Sequence, residues 1–383
     1  MARANNKKAV RPDGKMAKRC VSEEALRDAI ATTQRRYRRN INVLALVGAV
    51  AAFAALRLPT PTEPEMFDAD ASLRTRAEPG EFGWVEADAP HVRESIAAVD
   101  ASAFDPSDVV DAIAERRAKP LLLRGAMKAW SQAAAWMKRD TFLERHGDVV
   151  VGVGVGSRMD STHNWIFGAA PPTKEPPGAA ALRTRFRAQV ERGEEPSLPL
   201  GDFARHIRDG GGLPRDAYVF AAVDDAPVAS DVPQVMAIWE RLATPGAPLA
   251  EPGRIIDGTL LGLGGNGTGV LFHEHQFTVT GVFAGRKRWF IYDARRARES
   301  WIGDCFRAAR RADPAFDLDS VATFARAMYP LAVFQEEWAR VGFECVQGPG
   351  DLLYIPKGFS HATLNFGETL SIALQGAHID PPR

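Results

Sequence analysis

Leu271-Phe272-His273-Glu274-His275-Gln276-Phe277 is the stretch from which the rest of the chain is best read. In an extended strand, side chains two apart share a face, so His273 and His275 project together while Glu274 projects away. Two imidazoles on one face make half of a metal site, since neutral histidine is a common ligand of iron, zinc and copper. Only a bulge at Glu274 would turn its carboxylate into the same site.

A third donor has to come from elsewhere, and His361 in Phe359-Ser360-His361-Ala362 is the candidate. Three ligands on one side of an ion leave positions open for substrate and water. Around these histidines the chain runs in short apolar stretches broken by Gly, Pro and Asn: Thr259 to Leu263, Val270 to Phe277, Val279 to Phe283, Arg288 to Tyr292, Asp351 to Ile355 and Thr369 to Leu374. Short strands at such spacing predict a barrel or sandwich. A helical insertion over residues 300–340 separates the early strands from the late ones. Phe277, Trp289 and Phe290 read as core.

Between the histidines stand Gly285-Arg286-Lys287-Arg288-Trp289-Phe290 and Gly348-Pro349-Gly350-Asp351-Leu352-Leu353-Tyr354-Ile355-Pro356. Together with His273-x-His275 and the late His361-Ala362-Thr363-Leu364-Asn365, these blocks closely resemble the Jumonji-C family over about residues 257–377. The resemblance implies a mainly β fold with flanking helices, a double-stranded β-helix or jelly roll of the cupin type. It further implies Fe(II) held by His273, His275 and His361, with 2-oxoglutarate as cosubstrate, its far carboxylate paired with Lys287. Thr280 and Gln375 fall where members of the family place polar side chains lining the pocket. Tyr218 would donate to the same carboxylate, or else is an ordinary half-buried strand aromatic. The implied reaction is hydroxylation of a protein or peptide substrate.

The family usually carries His-x-Asp or His-x-Glu where this chain has His273-x-His275, a feature it shares with a branch associated with the lumen of the endoplasmic reticulum. An imidazole in place of a carboxylate removes one negative charge from the centre. Two other readings therefore stay open: a catalytically inactive luminal binding or assembly protein, and a three-histidine zinc or iron enzyme that ignores 2-oxoglutarate.

Upstream, the first forty residues carry twelve Lys/Arg against four Asp/Glu, whereas the whole chain is formally neutral. The basic tail (1–40) ends in Arg35-Arg36-Tyr37-Arg38-Arg39, directly before an apolar run from Ile41 to Leu56. That order favours membrane flanking over nucleic-acid binding. As a helix the run would span about 24 Å, short for a hydrocarbon core of about 30 Å but workable with snorkelling arginines. The expectation is a signal anchor at 41–57 and a single-pass type II protein with its bulk in the lumen of the endoplasmic reticulum or Golgi. The alternative is a cleaved signal peptide delivering the domain to the same lumen.

Residues 58–95, rich in Pro and acidic side chains, read as a stalk, with folding beginning near Ile96. Residues 96–256 then read as helices with an insertion ahead of a barrel core at 257–383. Cys305 and Cys345 could form a disulfide or remain two buried thiols; spacing does not choose.

Overall fold

The architecture is that of a computed structural model, which describes residues 79–376 apart from 90–91, 93, 156–164, 168–177, 210–211, 215, 223–227, 229–230, 244–255 and 319. The expected basic tail, the anchor at 41–57 and the stalk as far as residue 78 lie outside the described residues. Among the described residues no helix is long and apolar enough to cross a membrane.

The chain opens with β1 (Ala97–Asp100), α1 (Pro106–Glu115), β2 (Leu121–Arg124), α2 (Ser131–Trp136), α3 (Arg139–His146), β3 (Val150–Gly152) and β4 (Gly154–Val155). There follow α4 (Ala179–Glu191), β5 (Ser197–Pro199), α5 (Leu200–Asp209), β6 (Ala217–Ala222) and α6 (Pro233–Ala243). The remainder is β7 (Ile256–Gly264), β8 (Gly269–His273), β9 (Thr278–Asp293), α7 (Trp301–Ala312), α8 (Val321–Thr323), a π-helical turn (Phe324–Met328), α9 (Ala332–Val341), β10 (Gly342–Gln347), β11 (Leu352–Ile355) and β12 (Phe359–Gly376). Local chemistry sets the helix starts. Asp105 caps α1 by accepting from the backbone N–H groups of Ser107 and Asp108, Pro106 opens the helix, and Val109, Val110 and Ile113 are buried on one face.

Two long antiparallel strands organise the sheet. The sequence suggests separate strands at Val279 to Phe283 and Arg288 to Tyr292, but both belong to β9, which bends at Gly285. Gly285 has φ 66°, and a Cβ there would come within 2.5 Å of the Glu368 carbonyl oxygen, so only glycine fits without displacing backbone. β12 bends opposite it, at Gly367 with φ 75°, where its pairing with β9 shifts register between Phe366 and Leu370.

On one side of the bends, β9 and β12 join β11, β2 and β1 along one edge and β7, β6 and β4 along the other. On the other side they join β10 and β8. Strand alternation then sorts the side chains. Phe290, Ala362, Leu364 and Phe366 pack against Trp301, Phe324, Phe334 and Trp338 of the helical segment, each large side chain contributing roughly 1.5–3 kcal/mol of burial. Lys287, Trp289, His361 and Thr363, one residue out of phase, line a cleft on the opposite face.

One expectation needs correction, and one open alternative is decided. The folded part does not begin near Ile96: Trp84, from the presumed stalk, is 2% exposed and packs 5.9 Å from the Phe142 ring. Val85 exchanges hydrogen bonds with Glu368, donating to its carboxylate and accepting from its backbone N–H. A Pro-rich, acidic stretch reads as unfoldable by composition alone, but Trp84 and hydrogen bonds to Glu368, Arg139 and Arg208 dock it. Cys305 and Cys345 are free and buried, in α7 and β10 respectively, within separate apolar clusters. Of the two alternatives, the structure has two thiols; burial pushes the Cys305 thiol up to about 11 and that of Cys345 well above its ordinary value.

Candidate metal centre

His273 ends β8 and stands in register with His361 on β12. Their ring centroids are 4.3 Å apart, and His275 lies 4.8 Å from His361 and 5.5 Å from His273 by the same measure. One ligand-capable nitrogen from each of the three falls within 4.8 Å of the others. His275 does not sit in a strand: β8 stops at His273, and residues 274–277 form the link into β9. The two histidines thus come together through that link rather than through the alternation expected of a strand from Val270 to Phe277. Glu274 is exposed and stays out of the group.

The rings are prepared as neutral donors. Each Nδ1 lies against a backbone carbonyl: His273 on Leu271 at 2.9 Å, His275 on Gln276 at 3.1 Å, and His361 on Phe359 at 3.2 Å. An Nδ1–H donated to a carbonyl puts the lone pair on Nε2, the arrangement that orients metal-binding histidines. Burial holds the His361 imidazole well below its ordinary range, with further lowering from His273 and His275. Burial also lowers His273, against hydrogen bonding to the backbone of Leu271 and His361. A ligand has to be deprotonated, so these shifts favour metal at neutral pH.

Lys287 is 3% exposed. Its ammonium donates to Ser371 Oγ at 3.0 Å and to Tyr218 Oη at 3.2 Å, and among the described residues no carboxylate pairs with it. The same ammonium lies 5.7 Å from the Tyr218 ring centroid and 5.8 Å from that of Trp289, contacts that offset only part of the several kcal/mol that taking an ammonium out of water without a counter-charge costs. Lys287 and Tyr218 line the same cleft as His273, His361, Thr280 and Gln375. All the sequence candidates for metal and cosubstrate thus gather in one region, with the Gln375 amide nitrogen 3.2 Å from Nε2 of His275. A larger cleft, between the Trp84 segment and Gly285, carries none of these groups.

Sequence reasoning missed Ser371, Phe220 and Thr363, and placed Trp289 in the core although it also walls the cleft. Counting in twos would have found most of them: Ala373 and Ser371 precede Gln375 on one face, and Trp289 follows Lys287. Phe220, 40% exposed and stacked on Tyr218 with ring centroids 6.2 Å apart, gives no signal of its own in an apolar strand.

A family model described as "Cupin-like domain" matches residues 107–375, which spans every element from α1 to the end of the cleft. The chain belongs to the cupin-like domain family. Within it, the chain is 30% identical over 112 residues to JmjC domain-containing protein 8 of Mus musculus, covering 29% of this chain and 35% of that protein. It is 26% identical over 113 residues to 2-oxoglutarate and iron-dependent oxygenase JMJD4 of Gallus gallus, covering 29% of this chain and 24% of that protein. The corresponding protein of Danio rerio is 27% identical over 124 residues. The match thus spans about a third of the mouse relative and about a quarter of the chicken one.

The mainly β sheet with its helices accords with the jelly roll of cupin-like domains. The donor set also suits the group such domains are named for in the chicken and zebrafish relatives. Three oriented neutral imidazoles fit a divalent iron or zinc ion, and a buried, carboxylate-free cation beside them fits a dianion.

Proposed function

We propose that this protein is an Fe(II)- and 2-oxoglutarate-dependent oxygenase that hydroxylates a protein or peptide side chain. The observation that carries the proposal is Lys287, a buried cation whose partners are two hydroxyls, in the cleft that His273 and His361 also line. A hydrolase activating water on three histidines needs no such cation, whereas a dicarboxylate bound to the ion by one end needs one for the other.

His273, His275 and His361 would hold the ion. Bound Fe(II), with 2-oxoglutarate and dioxygen, supplies the oxidising chemistry, one oxygen atom entering the substrate C–H bond and the other the succinate left after loss of carbon dioxide. Lys287, Tyr218 and Ser371 orient the far carboxylate, with Thr280 lining the same cleft and Gln375 at the metal end, against His275. Trp289 and Val270 wall the cleft and exclude water. The basic-then-apolar N-terminus supports a type II anchor with the domain in the secretory lumen.

One observation favours a second reading, a non-catalytic binding protein: no carboxylate among the described residues joins the three histidines. Succinate release from 2-oxoglutarate separates the two. An oxygenase yields succinate with Fe(II) above the level of the His273→Ala variant. If the natural chain yields none and the His275→Asp variant does, the chain is a binder.

A further inference from the structure

We propose that Gly262 sets the reach of the cosubstrate pocket, its missing side chain leaving the space by which a five-carbon 2-oxo diacid is preferred to its four-carbon homologue. The proposal rests on the metal and 2-oxoglutarate site put forward above and concerns the residue that fixes which diacid that site takes.

Strand order is the first argument. Tyr218 lies on β6 and Ser371 on β12, with β7 between them, yet both hydroxyls meet the ammonium of Lys287. The Tyr218 ring therefore has to cross β7, and it does so over two glycines. A Cβ at Gly264 would stand 2.5 Å from Cδ2 of the ring, and one at Gly262 would stand 2.8 Å from its Oη. The same Cβ at Gly262 would stand 2.6 Å from Oγ of Ser371, which pairs with Gly262 across the strands.

Backbone conformation is the second. Gly262 and Gly264 lie two apart, on one face of the nine-residue β7, and neither has a positive φ. The backbone there is one that any L residue adopts, and glycine inside a strand weakens it. What the two glycines provide is room for close approach.

Chemistry is the third. A 2-oxo diacid held on an ion by its oxo-acid end needs its far carboxylate at Lys287, so the carbons between its two ends must match that span. A methyl at position 262 would strike both hydroxyls at once. Driven off β7 toward the ammonium, they would shorten the span by about one carbon.

The test needs binding and no turnover. Purified protein loaded with Mn(II) is mixed with 2-oxoglutarate, four-carbon oxaloacetate or six-carbon 2-oxoadipate, and binding is read within seconds from quenching of tryptophan fluorescence, Trp289 being a wall of the cleft. The natural chain should prefer 2-oxoglutarate to either homologue about tenfold or more. Gly262→Ala should bind 2-oxoglutarate about 10–100-fold more weakly while its affinity for oxaloacetate changes less than about threefold. In a chain that already carries Tyr218→Phe and Ser371→Ala, Gly262→Ala should change either affinity less than about twofold, because the atoms it strikes are gone. Ser371→Ala alone opens the same space from β12 and should narrow the preference against 2-oxoadipate, which carries the test if Gly262→Ala does not fold.

Equal affinity of the natural chain for the four- and five-carbon acids would overturn the proposal while leaving the metal and 2-oxoglutarate site intact. So would a Gly262→Ala chain that keeps the natural preference or loses all three acids alike, or, where that chain does not fold, an unchanged preference in Ser371→Ala. Failure of the natural chain to bind any of the acids would overturn the site itself and the role of Gly262 with it.

Discussion

His361 and His273 face each other across paired strands in direct register, their rings 4.3 Å apart between centroids. Neither ring has room to charge, because burial lowers both imidazoles. Such a pair waits for an electrophile rather than a proton. His361→Ala removes one of three donors and should weaken Co(II) or Zn(II) binding on the order of 100-fold or more, as measured by calorimetry, with His273→Ala behaving alike.

Lys287 should show opposite effects on stability and on ligand binding. Lys287→Met keeps the length of the stem and deletes a buried charge that two hydroxyls and two aromatic rings hold without a counter-charge. The ligand-free protein should melt at the same or a higher temperature, since the desolvation cost disappears. Affinity for 2-oxoglutarate should fall about 30-fold or more, roughly 2 kcal/mol or above, the usual consequence of removing one member of a buried charge pair.

The early segment was hidden from sequence reading and gives a stability test. Trp84 sits under the Arg139 guanidinium, 5.7 Å from ring centroid to Cζ, and Glu368 accepts from Arg208 at 2.8 Å and from Val85 at 2.9 Å. Trp84→Ala should cost about 3–5 kcal/mol, the range for a buried aromatic, in denaturant unfolding. A chain beginning at residue 96 should be less stable than one beginning at residue 79.

What sequence reading could and could not see follows from the kind of interaction. Lys287 was legible through the resemblance that its Gly285-Arg286-Lys287-Arg288-Trp289 block carries, and His361 through the motif around it, whereas period-two alternation spoke only for His273 and His275. His273 and His275 were paired correctly through a strand that ends between them, so the outcome was right and its stated geometry was not. Gly285 looked like a break between strands because its bend appears in sequence as an interruption, whereas β9 runs through it. Trp84 depends on a contact with Phe142, far along the chain, which no local pattern reports.

Acid should destabilise the protein through His146 as well as through the cleft. Burial holds the His146 imidazole below its ordinary 6.5, despite the opposing pull of Asp231 at 3.0 Å. Below pH 6.5 the unfolded chain therefore binds a proton the folded chain refuses, so this contribution to stability is complete above that pH and is lost as pH falls through the window beneath it. His361 and His273 act in the same direction. The thermal midpoint should drop between pH 7.5 and 5.5, and His146→Gln, which can still donate to Asp231, should flatten that drop in part.

Titration of 2-oxoglutarate into Mn(II)-loaded protein is the most direct measurement, because it asks for the metal and the buried cation at once. Expected is saturable binding of 2-oxoglutarate that needs the metal and that Lys287→Met reduces about 30-fold or more. Binding that is absent from the loaded protein, or that ignores both Mn(II) and Lys287, would contradict a joint metal and 2-oxoglutarate site.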